Sequence, residues 1–319
     1  MPHRDASRRG SLAYLPRKRA KRIYPATTHW GDSAEPKPLG FAGWKAGMTH
    51  IQYTDSNAKS PTYGRVVSSA VTILDAPSLF VAALRFYKRT GAEKKSVGEK
   101  WTRTFPKGLE IRRKAMPGLK DFSGEADDVR LVVATQSEQS GMKKRTPEIM
   151  EIGLGGKYDE KAKYAESVLG KTIDAKDVFK PGEFVDVSAV TKGHGYTGVV
   201  KRYGVRVQTR KDKQMHRHVG SIGSTVPRKV DWRVPQAGQF GFFTRTEFSK
   251  KVIAVGEDAT KITPKGGFVG YGPLKSYLLV EGSVPGPKKR LIRLRKATRM
   301  TKVAPLEMKY TSIESKQGR

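Results

Sequence analysis

A formal net charge of +32, from 62 Lys and Arg against 30 Asp and Glu, restricts this chain more than any other feature. A compact domain with that excess repels itself in water, so a polyanion belongs in its environment. Membrane surfaces also attract cations, but they require an amphipathic helix, a lipid anchor or an apolar span, and the sequence offers none of these. Nucleic acid is the better partner. At 319 residues there is room for one large domain or two ordinary ones with a real core. Apolar residues make up 37% and charged residues 29%, so part of the chain is expected to be extended rather than buried.

The charge is unevenly spread. Residues 1–22 carry eight Lys and Arg against Asp5, and read as a basic arm. The arm lacks the apolar stretch of a secretory signal, which predicts a cytoplasmic protein. Residues 121–183 reverse the trend, with thirteen acids against ten bases, and are expected to face solvent or protein rather than a polyanion. From Thr191 to Lys251 there are fourteen Lys and Arg against Asp212, Asp231 and Glu247, with glycines scattered among them. No apolar period is sustained there, so this stretch reads as a long basic loop.

Between these regions the chain shows short apolar runs. Leu39 to Trp44, Met48 to Tyr53 and Ala70 to Leu74 are expected as strands. Ser78 to Lys88, with Leu79, Phe80, Ala83, Leu84 and Tyr87, has helical spacing. Leu131 to Ala134 reads as a strand and Asp159 to Leu169 as a helix. Phe184 to Val190 alternates as a half-buried strand, Val199 to Val207 is β-like, and Ser276 to Val280 is strand-like. In Leu291 to Arg295 one face packs through Ile292 and Leu294, leaving Arg293 and Arg295 on a face free to touch phosphate.

The chemistry-bearing strings are weak. Gly193-His194-Gly195-Tyr196-Thr197-Gly198 matches a dinucleotide-binding pattern, but a pyrophosphate site needs a helix N-terminus after it and an acid about 20 residues further on. Gly170-Lys171-Thr172 copies the end of a phosphate-binding loop, yet Ala165 stands where the earlier glycine is required. His216 and His218 lie beside Lys213 and Arg217, which repel a metal cation, and the chain has no cysteine for disulfides or thiolate zinc sites. No Ser-His-Asp set or carboxylate pair can be placed. No cofactor, metal, small-molecule substrate or catalytic residue is therefore assigned. Trp30, Tyr203, Trp232, Phe240, Phe242 and Phe243 are interleaved with bases, and stacking on nucleobases and core packing use the same side chains. Two rivals are an RNA-modifying enzyme on a barrel scaffold and a nonspecific chromatin-like protein or RNA chaperone.

Several strings together resemble a known family: the universal large-subunit ribosomal protein numbered three, in its archaeal and eukaryotic form. They are Gly10 to Arg19 (GSLAYLPRKR), Gly43 to His50 (GWKAGMTH), Val71 to Pro77 (VTILDAP), Glu148 to Ile152, Phe184 to Val187 with Thr191-Lys192-Gly193, Ala237-Gly238-Gln239 with Arg245-Thr246-Glu247, and Gly282 to Arg295 (GSVPGPKKRLIRLR). The resemblance implies an α+β, mainly β fold. It consists of a translation-factor-type β-barrel interrupted by a mixed α/β insert, with an extended basic N-terminal arm and central loop. The expected boundaries are 1–38 for the extension, 39–77 and 181–304 for the barrel, 78–180 for the insert, 191–251 for the central loop and 305–319 for a tail. It further implies a structural, non-enzymatic constituent of the large ribosomal subunit in the cytoplasm. That constituent organises rRNA early in assembly, touches neighbouring ribosomal proteins and sends its extensions toward the peptidyl-transferase region. Family members usually carry a tryptophan at the loop tip; here Thr225 aligns with it.

The residues expected to contact rRNA are Arg8, Arg9, Arg17, Lys18, Arg19, Lys21 and Arg22 in the arm, and Lys45 in the first strands. The central segment adds Lys192, His194, Lys201, Arg202, Arg206, Arg210, Lys211, Lys213, His216, Arg217, His218, Arg228, Lys229, Arg233 and Arg245. Lys288, Lys289, Arg290, Arg293 and Arg295 complete the set.

Overall fold

The structure, a computed structural model, describes residues 8–315 apart from 92, 107–108, 110–123, 125, 143, 300–302 and 304–305. In chain order the elements are β1 (Gly40–Thr54), β2 (Val66–Asp75), β3 (Leu79–Thr90), β4 (Glu93–Trp101), β5 (Asp128–Thr135), β6 (Ile149–Gly153), α1 (Tyr158–Val168), β7 (Thr172–Ile173), α2 (Ala175–Val178) and β8 (Phe184–Val190). They continue with β9 (Gly193–Thr197), α3 (Val199–Tyr203), β10 (Gly238–Gly241), β11 (Thr244–Gly256), β12 (Tyr277–Glu281), β13 (Leu291–Lys296) and β14 (Glu307–Thr311). The fold is α+β and mainly β. The chain divides into two compact units. A large unit joins Ile23–Ala189 to the chain from Arg245 onward, and a basic unit joins the stretch up to Arg22 to Val190–Thr244.

In the large unit seven strands pair in the order β13-β8-β11-β12-β2-β1-β14, and β13 also pairs with β1, so six of them form a circuit that returns to its start. β1 explains how. Its first eight residues, Gly40 to Gly47, are all buried. Phe41 and Trp44 lie across from Leu294 and Leu291 on one side, while Trp44 meets Asp75 on the other. A strand paired on both edges and covered on both faces reads as a continuous apolar run. Beyond a register slip at Lys45/Gly47 the strand alternates, with Thr49, Ile51 and Tyr53 buried and Met48 and Gln52 exposed. Its last residues then take β14 as a partner.

A second sheet, β4-β3-β5-β6 with β7 on β3, carries α1. Asp159 and Glu160 in the first turn of α1 suit the positive end of the helix. One core cluster runs from Phe41, Trp44 and Leu294 through Leu79, Leu131 and Ile152 to Phe179. A smaller one seats Ala259, Ile262, Phe268 and Leu274 on Ile51, Ile73 and Leu279. Each buried Leu, Ile or Phe among them contributes roughly 1.5–3 kcal/mol.

Several expectations need correction. Ser78 to Lys88 is not a helix. Leu79 to Leu84 are all buried and lie in β3, which pairs with β4, β5 and β7. An unbroken apolar run has no period that separates a central strand from a buried helix. The two strands expected before Tyr53 are one, because the Lys45/Gly47 bulge absorbs the break in pattern without ending the pairing. β8 is buried on both faces rather than half-buried, since its polar Asp186 and Ser188 also lie inside. Val199 to Tyr203 is a helical turn, not β. Gly198 caps it, Gly204 ends it in the left-handed conformation at φ 70°, and Val199 and Tyr203 bury one face four residues apart. The stretch 191–251 is not loop throughout, since β9, α3, β10 and the start of β11 occupy it. Residues 307–311 of the expected tail form β14.

Candidate nucleic-acid interface

The stretches 1–22 and 190–244 hold nineteen Lys and Arg against three acids, so the basic unit carries half the net charge in a quarter of the length. Two arginines expected to bind phosphate instead bond within it. Arg202 donates from Nε to the Gln239 carbonyl at 3.0 Å and from Nη1 to the Gln236 carbonyl at 2.7 Å. Its Nη2 donates to the Arg17 carbonyl at 3.3 Å, and Arg17 Nη1 returns the bond to the Arg202 carbonyl at 2.6 Å. Both guanidinium groups lie over the Tyr203 ring, at 4.1 and 5.1 Å from its centre. Arg8 donates to the Arg233 carbonyl and the Ala20 amide to the Phe242 carbonyl. These bonds stitch the N-terminal stretch onto the central segment, so Arg17 and Arg202 work inside the protein.

Most of the unit's cations are exposed to solvent. Arg8, Arg9, Lys18, Arg19, Lys21, Arg22, Lys192, His194 and Lys201 are exposed, as is every Lys, Arg and His from Arg206 to Arg233. That last segment has no helix or strand and buries no side chain. Trp232 is 66% exposed, with Arg233 beside its ring at 5.4 Å. Ordering backbone costs roughly 1–2 kcal/mol per residue, which a segment without a core recovers only from a partner. Of the other interleaved aromatics, Tyr203 and Phe243 are buried, Trp30, Phe240 and Phe242 are half-buried, and Phe240 makes a ring stack with His194 at 5.3 Å.

The glycine string lies in and just beyond β9, paired with β10, and is not a loop leading into a helix of useful length. His216 and His218 are both exposed. Among the described residues no group of three or more His, Cys, Asp or Glu is placed to hold a metal.

In the large unit the expected set divides differently. Lys45 is buried, its ammonium donating to the Val284 and Gly286 carbonyls. Arg293 does not lie on a free face. It is 5% exposed and donates to the Pro25 and Glu151 carbonyls, and burial lowers its pKa to about 10. Arg290 is buried too, with its pKa pushed down by the lost hydration. Arg295 pairs with the fully buried Asp186 at 2.9 Å, and Arg245 is half-buried. Only Lys288 and Lys289 stand exposed. Sequence reasoning also missed cations. In the β3–β4 hairpin Lys88 lies opposite Lys95 and Arg89 opposite Lys94. Like charges in register repel, a signal hidden once the segment was read as a helix.

A family model described as ribosomal protein L3 matches residues 1–116 and 106–318. A Methanopyrus kandleri protein named large ribosomal subunit protein uL3 is 46% identical over 98% of this chain and 91% of its own. Its namesake from Methanothermobacter thermautotrophicus is 43% identical over the whole of both chains. The one from Archaeoglobus fulgidus is 44% identical over 98% of each. With a family match along nearly all of the sequence and relatives this similar end to end, the chain belongs to the ribosomal protein L3 family.

Proposed function

We propose that the protein is a structural, non-enzymatic constituent of the large ribosomal subunit in the cytoplasm and that it binds and organises large-subunit rRNA through its basic unit. The observation that carries this reading is the coreless stretch 206–233, whose cations are all exposed. Neutralised phosphates release counterions, and that gain offsets the ordering cost. Contacts of this kind position backbone and shape rather than read sequence. Arg19, Lys192, Arg217, Arg228 and Lys288 are among the expected phosphate ligands, and Thr225, which the resemblance aligns with the usual loop-tip tryptophan, is exposed.

The finer architecture belongs to the same proposal. The six-strand circuit is read as a translation-factor-type barrel from 39–77 and 181–304. The second sheet with α1 and α2 is the insert at 78–180, 1–38 is an extension and 305–319 a tail. The extensions run toward the peptidyl-transferase region, the protein joins early in assembly, and the acid-rich insert meets neighbouring ribosomal proteins.

Sedimentation of a cell lysate before and after a high-salt wash tests the reading. The protein is expected to remain with the large subunit, and its release to light fractions would make it an accessory factor. Replacing Arg217, Arg228 and Lys229 by Ala should flatten the dependence of log affinity on log salt by about 2–3, since each lost phosphate contact contributes about 0.7–0.9. An unchanged slope removes these residues from the interface.

A further inference from the structure

Tyr196 is the most exposed Phe, Tyr or Trp among the described residues, at 79%, and it stands in the unit with half the charge. We infer that the Tyr196 ring is a stacking platform for an unpaired RNA base, presented by a glycine bulge in β9; this rests on the rRNA-binding reading above and deepens it.

The local sequence builds the display. Gly193 pairs with Gly241 and Tyr196 with Gln239, so β9 spends three steps where β10 spends two. Gly195 absorbs the extra residue with φ +66°, a left-handed conformation that a glycine adopts without strain. A bulge of this kind re-aims the side chain that follows it, which is Tyr196. The strand is uncrowded on either side of Tyr196 and Thr197: a Cβ placed on Gly195 or on Gly198 would meet nothing within 4 Å, chain neighbours aside. The Tyr196 hydroxyl makes no hydrogen bond within the described residues. An aromatic ring kept dry contributes to folding, and this one is left out of both the core and the polar network.

A single exposed aromatic is ordinary on a protein surface. Three observations set this one apart. Gly195 and Gly198 add no side chain next to it. Lys192 and Lys201, both exposed, lie within five residues of it and supply charge for the phosphates of a stacked nucleotide. His194, on the same strand, already stacks on Phe240 with the rings 23° apart, so β9 carries a second aromatic surface. Base stacking needs only the π-face that every nucleobase has, and it requires a base out of its helix, because in an A-form duplex the faces are covered. The occupant is therefore a splayed-out base of single-stranded RNA or an unpaired loop, not a duplex.

The test uses the full-length protein with Tyr196→Ala, Tyr196→Phe and Lys201→Ala, and three probes: large-subunit rRNA, a single-stranded oligoribonucleotide and a fully paired RNA duplex. Tyr196→Ala is expected to weaken single-strand binding roughly tenfold, the effect of losing one stacked base. It should leave duplex binding and the salt slope unchanged, while Tyr196→Phe binds like wild type. Lys201→Ala should instead reduce the salt slope by roughly 0.7, as for a lost single-strand phosphate contact. Equal affinities for wild type and Tyr196→Ala, or equal losses on single strand and duplex, overturn the stacking assignment and leave the rRNA-binding reading standing. A wild-type protein that binds none of the probes overturns both.

Discussion

Asp75 closes β2 with a carboxylate that solvent does not reach. Its Oδ2 accepts from the Tyr271 hydroxyl at 2.8 Å and the Gly141 amide at 3.0 Å, while Oδ1 is buried with no hydrogen-bond partner. Burial pushes the carboxyl up from 3.8 to about 6, and the two hydrogen bonds pull it back by less. An acid whose pKa rises on folding holds its proton more tightly in the native state. The fold therefore loses stability as pH rises from about 4 through about 6, and the loss persists above that. A shift of about two units corresponds to about 3 kcal/mol at neutral pH. Asp75→Asn keeps the shape and one acceptor oxygen but removes the charge. In urea unfolding of the full-length proteins, the variant should be more stable than wild type by about 3 kcal/mol at pH 7.5 and within about 1 kcal/mol of it at pH 4. Comparing the two proteins cancels the titration of every other acid. A difference of the same size at both pH values refutes burial of the charge as its source.

Two further substitutions separate structural arginines from RNA ligands. Arg293→Ala leaves the Pro25 and Glu151 carbonyls unpartnered and opens a cavity, so urea unfolding should show a loss of about 2–4 kcal/mol. Weakened rRNA binding at unchanged stability would return Arg293 to the phosphate contacts. Arg202→Ala removes three bonds to main-chain carbonyls, and amide hydrogen exchange should accelerate in residues 8–22 relative to the large unit. Arg202→Lys should not restore protection, because an ammonium cannot span three acceptors held in a fork.

The charge map was legible because it needs no geometry: the arm and the central segment were both visible as basic stretches. That they form one unit was not, since Arg17 and Arg202 are 185 positions apart and their mutual bonds run to backbone carbonyls, which leave no trace in side-chain pattern. β5, α1 and β12 were readable from local apolar pattern. β3 was not, because a strand covered on both faces loses the alternation that marks strands. Alternation within β13 sets Arg293 on the face opposite Ile292 and Leu294, yet residues 25 and 151 cover that face, and coverage by distant chain is invisible to period. Tyr196 lies inside a glycine string that matches a nucleotide-binding pattern, and there Gly195 forms the bulge that precedes it.

The basic unit is assembled from two pieces of chain that leave the synthetic machinery at different times. At roughly 5–20 residues per second, Val190 follows Arg22 by about 10–30 s. Throughout that interval the arm has neither Tyr203 to lie against nor the Arg202 and Phe242 carbonyls to bond. A nascent polycation in this condition meets whatever RNA is nearest, so the order of translation leaves its first encounters to the surroundings of the growing chain.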